Sequence, residues 1–457
     1  MSDAASHPNG VLADAARWRA LAPLTAVGLA LIALTAAGPA LHHTFGGVAH
    51  WAVVTFTAIG AGWAALATHR AGRTDALAVI AVVALAMRFA LLFTEPYLSD
   101  DIYRYVWDGR VQAAGINPYR YIPAATDLAM LRDDAIFPRI NRADYAPTIY
   151  PPTAQMLFLA ITRLGESVLV MKLGLVACEV VAIGATAGTL ARLGLAPTRV
   201  AAFAWHPLAA WEIAGNGHID AAMIALAMLA VVAFLSHRTL LAGALAAAAA
   251  LVKPTAVLAL PVFWRPWDLR LPAVVLATVA ALYLPYLSVG WKVLGFLPAY
   301  IGEEELSHGT GFRYLMILER LVGPLPGAAK VYAAAAATVM LALALAASFR
   351  ADRSDRAAVG WLAVLLTTFL ALFTPHYPWY YLVLLPLLAV YPASWTLWLL
   401  TVGGFQTYQA VPGENLPDFG DRQVVFHSAV LLTAARDLHR IATTGFNTSP
   451  NPGAQPA

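Results

Sequence analysis

The chain has 457 residues, of which 29 are Lys or Arg and 26 are Asp or Glu, so charged side chains make up 12% and hydrophobic ones 60%. An ordinary soluble domain carries roughly 25% charged residues, and a single soluble core stops growing near ~250–300 residues, so this chain reads as a multi-span helical membrane protein. A net charge of +3 with no Lys/Arg block excludes a nucleic-acid partner, and one cysteine, Cys178, excludes an internal disulfide.

In chain order, apolar runs near the ~20 residues a crossing needs predict about twelve transmembrane helices, at 20–41, 48–68, 75–94, 168–191, 200–214, 219–236, 271–289, 328–349, 357–374, 378–391, 393–411 and 423–436. The first, preceded by Arg17 and Arg19, is longer than a typical signal-peptide core and is expected to remain as a helix. The apolar pieces 153–164 and 240–264 do not fit as simple crossings. The second breaks at Lys253-Pro254, because proline lacks the N–H and its ring clashes with the preceding turn. With both pieces re-entrant or broken, Arg70/Arg73, Arg192/Arg199, Arg238, Arg265/Arg270, Arg350/Arg353/Arg356 and Arg436/Arg440 fall on one side with Arg17/Arg19. The positive-inside rule makes that side, and both termini, cytoplasmic.

The opposite side carries the long segments. Residues 95–150 hold eight acidic residues and six arginines, and a loop of that length is usually functional. Residues 290–327 form a second loop with Glu303-Glu304-Glu305, His308 and Arg313, and 442–457 reads as a flexible tail. The whole of 1–457 is expected to be one integral membrane domain.

Three constellations carry chemistry. In Ser99-Asp100-Asp101-Ile102-Tyr103-Arg104-Tyr105-Val106-Trp107-Asp108-Gly109-Arg110, adjacent carboxylates suit a general base and its partner, and Tyr103, Trp107 and Arg110 follow at helical spacing. A capped amphipathic helix on the membrane surface accounts for the pattern equally well. Next come Gly115-Ile116-Asn117-Pro118-Tyr119 and Tyr150-Pro151-Pro152-Thr153-Ala154-Gln155, which are ordinary loop punctuation apart from Gln155 as a polar contact. The third is Gly215-Asn216-Gly217-His218-Ile219-Asp220, more polar than a connecting turn requires, although Asn-Gly turns are common and Asp220 would also cap a helix. Its His and Asp fall short of a metal site by themselves, so no metal ligand set is assigned and a divalent cation remains an option. Outer-face cations complete the set: Lys253 at the helix break, Arg313 in the second loop, and His376 in Pro375-His376-Tyr377-Pro378-Trp379-Tyr380. A carboxylate base beside cations fits attack by a hydroxyl with an anionic phosphate leaving. No nucleotide-binding motif is present, so a lipid-linked phosphosugar in the bilayer is the expected donor.

These strings, in this order, resemble the bacterial polyprenol-phosphate-mannose-dependent mannosyltransferase branch of the GT-C glycosyltransferases, in patches over roughly 95–381. The family commonly has Asn where Ile219 stands here. The resemblance implies an all-α GT-C-like membrane enzyme of the bacterial inner membrane with an extracytoplasmic site. A polyprenyl-phosphate sugar, with mannose favoured, would be donor, and a glycan or glycolipid would be acceptor. Carried over, it implies Asp100 as base with Asp101 as its partner, a pocket lined by His218, Asp220 and His376, and Lys253 at the donor phosphate; Tyr103, Arg104, Trp107, Gln155, Asn216 and Arg313 are further candidate substrate contacts read from the pattern itself. Attack on the face opposite the phosphate implies inversion. Two other readings stand beside it: a secondary transporter, although the halves show no repeat of these motifs, and a polymerase or ligase of lipid-linked glycans.

Overall fold

The structure is a computed structural model, described at residues 8–45, 47–67, 73–299, 312–375, 377–403 and 419–446. Among these residues the secondary structure is helical throughout, without a strand. The chain runs α1 (Pro8–Phe45), α2 (Gly47–Ala67), α3 (Arg73–Leu92), α4 (Asp101–Ala113), α5 (Pro152–Thr162) and α6 (Val168–Arg192). Then follow the short α7 (Ala201–Ala204) and α8 (Pro207–Ala209), α9 (Asp220–Leu235), α10 (Thr239–Ala250), α11 (Leu260–Phe263) and α12 (Arg270–Tyr283). The last third holds α13 (Arg313–Val322), α14 (Ala328–Phe349), α15 (Asp355–Phe373), α16 (Leu385–Val390), α17 (Trp395–Gly403) and α18 (Phe419–Thr444).

Among the described residues, six helical stretches are long and apolar enough to cross a bilayer: Trp18–Phe45, Arg73–Leu92, Val168–Arg192, Arg270–Ala299, Ala328–Phe349 and Asp355–Phe373. Their outward faces expose large apolar side chains, such as Val82, Leu85 and Phe89 on α3 and Val331, Val339 and Leu341 on α14. A soluble monomer rarely shows so extensive an apolar surface, and lipid covers it without cost. The chain is therefore a polytopic membrane protein. Several expected crossings are not single helices. Residues 200–214 are divided among α7, α8 and a π-helical turn at Ala210–Gly215, with Pro207 interrupting the ladder. Residues 378–391 begin as a 3-10 helix, Pro378–Leu384, before α16. The expected 393–411 span leaves the described residues after Gly403.

The bundle has two distinct ends, defined by where α6 begins and finishes. At its start, Lys172 Nζ donates to the Thr94 carbonyl at 2.6 Å, just beyond α3. In mid-helix, Glu179 pairs with Arg88 of α3, and both are buried. At its finish, Arg192 Nε donates to Ser236 Oγ at 3.1 Å, Arg356 Nη2 to the Leu193 carbonyl at 3.4 Å, and Arg350 Nη1 to the Val262 carbonyl at 2.9 Å. These arginines mark one end of the molecule, and Asp220, at the start of α9, marks the other.

The broken helix at Lys253 is present. Twelve residues of α10 extend about 18 Å, short of the ~30 Å hydrocarbon core. Lys253 is extended (φ −142°, ψ 133°), and a 3-10 turn, Pro254–Ala259, with α11 carries the chain back to the arginine end. The break frees the Leu251 carbonyl, and the first turn of α5 supplies its partners: the Thr153 and Ala154 N–H groups donate at 3.1 and 3.3 Å. Two sets of unpaired backbone groups, from a broken helix and from a helix start, thus satisfy each other away from water.

The segment between α3 and α5 folds over α4, and every residue from Ile102 to Val111 is buried. Gly109 permits the closest approach, because a Cβ there would lie 2.6 Å from the Phe158 carbonyl oxygen of α5.

Candidate active site

Asp100 and Asp101 sit where the loop enters α4. Ser99 Oγ accepts from the Asp101 N–H at 3.3 Å, which begins the helix without help from the Asp100 side chain. Asp100 is exposed and free of the cap role, and partial burial followed by the neighbouring Asp101 charge pushes its carboxyl above the ordinary aspartate range, partly offset by Arg139. Asp101 points inward and is 20% exposed. Its Oδ1 accepts from Asn141 Nδ2 at 2.8 Å, and its Oδ2 lies 3.9 Å from His218 Nδ1.

His218 arrives from the π-helical turn. Gly217 has φ +77°, and a Cβ on it would meet Ile102 Cδ1 at 2.2 Å, so only glycine lets this turn seat against α4. The imidazole is fully buried and stacks on Trp379 at 4.0 Å, and Trp379 in turn stacks on Tyr377 at 4.4 Å. His218 Nε2 is 3.2 Å from Glu212, yet neither ring nitrogen completes an aligned hydrogen bond. Asn216 bridges the two loops: its Oδ1 accepts from the Leu98 N–H at 3.3 Å and its Nδ2 donates to Glu212 at 3.4 Å.

Asp220 caps nothing with its side chain. It accepts from Lys253 Nζ at 2.6 Å, and that ammonium also lies 4.8 Å from the centre of the Tyr380 ring. Tyr105 of α4 faces both halves of the cluster: burial raises its hydroxyl most, with the charges of Asp101 and then Asp220 adding. Four chain segments distant in sequence, at 100–105, 212–220, 253 and 377–380, therefore meet at the end opposite Arg192, Arg350 and Arg356.

The other expected residues are placed differently. Tyr103 is buried and bonds Glu95 and Arg139 at the rim. Arg104 Nε donates to Asp108 Oδ1 at 2.9 Å and Gln155 Nε2 to Asp108 Oδ2 at 2.9 Å and Thr148 Oγ1 at 2.8 Å, a closed network that holds α4 to α5. Trp107 is buried against Phe137. The Arg313 N–H donates to Thr374 Oγ1 at 3.1 Å, which sets the start of α13 beside the segment leading to Trp379. His376 and Glu303-Glu304-Glu305 lie outside the described residues, as does most of the 442–457 tail. Among the described residues no three His, Cys, Asp or Glu side chains are grouped as a metal site. Sequence reasoning did not single out Glu212 or Asn141. For Glu212 a signal existed: an acid within an apolar stretch, four residues before Asn216, is costly enough to ask for a purpose.

The arrangement is that of a polytopic membrane protein with carboxylates, a buried imidazole and an ammonium gathered at one face. Residues 17–267 match the family described as alpha-(1->6)-mannopyranosyltransferase, N-terminal domain, which is more than half the chain. The chain belongs to this mannosyltransferase family. It is 24% identical over 332 residues to alpha-(1->6)-mannopyranosyltransferase A of Mycobacterium tuberculosis, covering 64% of this chain and 61% of that protein. It thus spans about three fifths of the length of that relative. No solved structure matches it.

Proposed function

We propose that this protein is an integral membrane glycosyltransferase that moves mannose from a polyprenyl-phosphate donor to a hydroxyl of a glycan or glycolipid at the extracytoplasmic face of a bacterial plasma membrane. The convergence of Asp101, His218 and the Asp220–Lys253 pair carries this reading, because a family of mannosyl-transferring enzymes needs a base and phosphate-facing cations within one site. Placing the arginine end in the cytoplasm follows the positive-inside rule and puts the site, with its Trp379 and Tyr380 rings, at the outer membrane face. The termini are then cytoplasmic.

In the step we assign, the acceptor oxygen attacks the anomeric carbon and its proton passes to Asp100. The bond from that carbon to the phosphate oxygen breaks, with its electron pair leaving on the phosphate. Burial first and the neighbouring Asp101 charge second make Asp100 a better proton acceptor than an ordinary aspartate. Lys253 stands where a hydrogen bond to the departing phosphate strengthens as its charge grows. Membership in a transferase family favours this chemistry over transport.

Backside attack gives one configuration. NMR of the product made by purified enzyme is expected to show the anomeric configuration opposite to that of the donor, whereas retention would contradict a single-base displacement.

A further inference from the structure

The buried Glu212 carboxylate is not used by the chemistry above. It sits in the Ala210–Gly215 π-helical turn, within a stretch otherwise apolar, and its side chain is fully buried. Burying a carboxylate is expensive unless something nearby needs its charge. The π turn is what aims it, since the extra residue rotates the side chains that follow, and such turns occur frequently at functional sites. The main chain closes the same loop, with the His218 N–H donating to the Glu212 carbonyl at 2.8 Å, so backbone and side chain both tie residue 212 to residue 218.

The groups around the imidazole define its task. Glu212 faces Nε2 at 3.2 Å, Asp101 faces Nδ1 at 3.9 Å, and Trp379 covers one face at 4.0 Å. Asp220 and Lys253, in the same cluster, are paired with each other. Carboxylates only accept, and each ring nitrogen has one facing it. Asn216 Nδ2 donates to the same Glu212 oxygen that faces His218, Oε2, and its own Oδ1 accepts from the Leu98 N–H two residues before Asp100. The Glu212 charge is also felt at Tyr97, where burial first and Glu212 second push the hydroxyl upward.

We infer that Glu212 is a positioning residue, which through His218 sets the orientation of Asp101 and so of the catalytic carboxylate pair. This rests on the transferase reading above. It makes Glu212 the buried end of a Glu–His–Asp line that passes through Asp101 to the exposed Asp100. The residue acts without touching substrate, so its loss should slow the reaction while leaving substrate binding intact.

The test is a double-mutant cycle on purified protein with polyprenyl-phosphate mannose and an acceptor. Glu212→Gln keeps size and hydrogen-bonding capacity. It is expected to lower kcat roughly tenfold to hundredfold, the scale of a small misplacement, with KM for donor and acceptor near the wild-type values. In a His218→Gln background the same change is expected to cost nothing further, within roughly twofold. Glu212→Asp, which restores the charge, is expected to recover part of kcat. Losses that multiply in the double variant would overturn the inference, as would a fall in kcat that tracks a lower folding temperature. A Glu212→Asp variant as impaired as Glu212→Gln, with the fold intact, would overturn it too. Wild-type protein that transfers nothing would remove the transferase reading itself, an outcome distinct from multiplicative losses in an active enzyme.

Discussion

Asp100→Asn is expected to reduce kcat by about 10²- to 10⁴-fold, the usual contribution of a positioned general base, while donor binding persists. The asparagine keeps the shape at the start of α4, and Ser99 rather than Asp100 supplies the cap, so the fold has no reason to change. The wild-type pH profile makes the same claim in another form. Asp100 must be ionised to accept a proton, and burial with the Asp101 charge raises it, so activity should be lost on acidification above the ordinary aspartate value of ~3.9. Asp101→Asn removes the like charge. The acid limb should then move to lower pH, with activity reduced because the Asn141 and His218 contacts lose their charged partner. An acid limb that moves upward, or an Asp100→Asn enzyme of full activity, would assign the base elsewhere.

Lys253→Met carries the largest stability effect. Asp220 is 1% exposed, and removing the ammonium 2.6 Å away leaves its carboxylate charged, buried and unpaired. Breaking a buried pair in this way costs about 3–5 kcal/mol, enough to lower the unfolding temperature in detergent visibly. The Lys253→Met/Asp220→Asn double variant is expected to recover most of that stability, because no uncompensated charge remains. It should still transfer poorly, because the cation facing the phosphate is gone. A single variant as stable as wild type would mean that Asp220 has other compensation, and an active double variant would remove Lys253 from the site.

Much of this architecture was legible because its causes are local. Pro254 breaks a helix wherever it stands, and the arginines sort by side whatever the packing, so the break at Lys253 and the gathering of Asp100/Asp101, His218 and Asp220 at one end could be anticipated. What was not legible depends on distant partners. Helical spacing put Tyr103 and Trp107 on a shared face of α4, but α5, α6 and the loop at 114–150 pack around the helix together and bury both. Arg104 and Gln155 looked available until Asp108 and Thr148, brought together by the α4–α5 contact, engaged them. The count of crossings rested on apolar length, which cannot distinguish one helix from the α7, α8 and π-turn pieces that carry residues 201–215. Glu212 stood out only as an acid in an apolar stretch, and its direction was hidden by the same pieces, since ideal α-helical spacing does not show which way a π turn points.

The central claim is most directly tested by offering purified wild-type protein in liposomes radiolabelled mannose in two forms, on polyprenyl phosphate and on a nucleotide, together with a mannoside acceptor. The account predicts label in the acceptor from the lipid-linked donor alone, and none when Asp100→Asn replaces the wild type. Transfer from the nucleotide donor without transfer from the lipid donor, or no transfer from either, would contradict it.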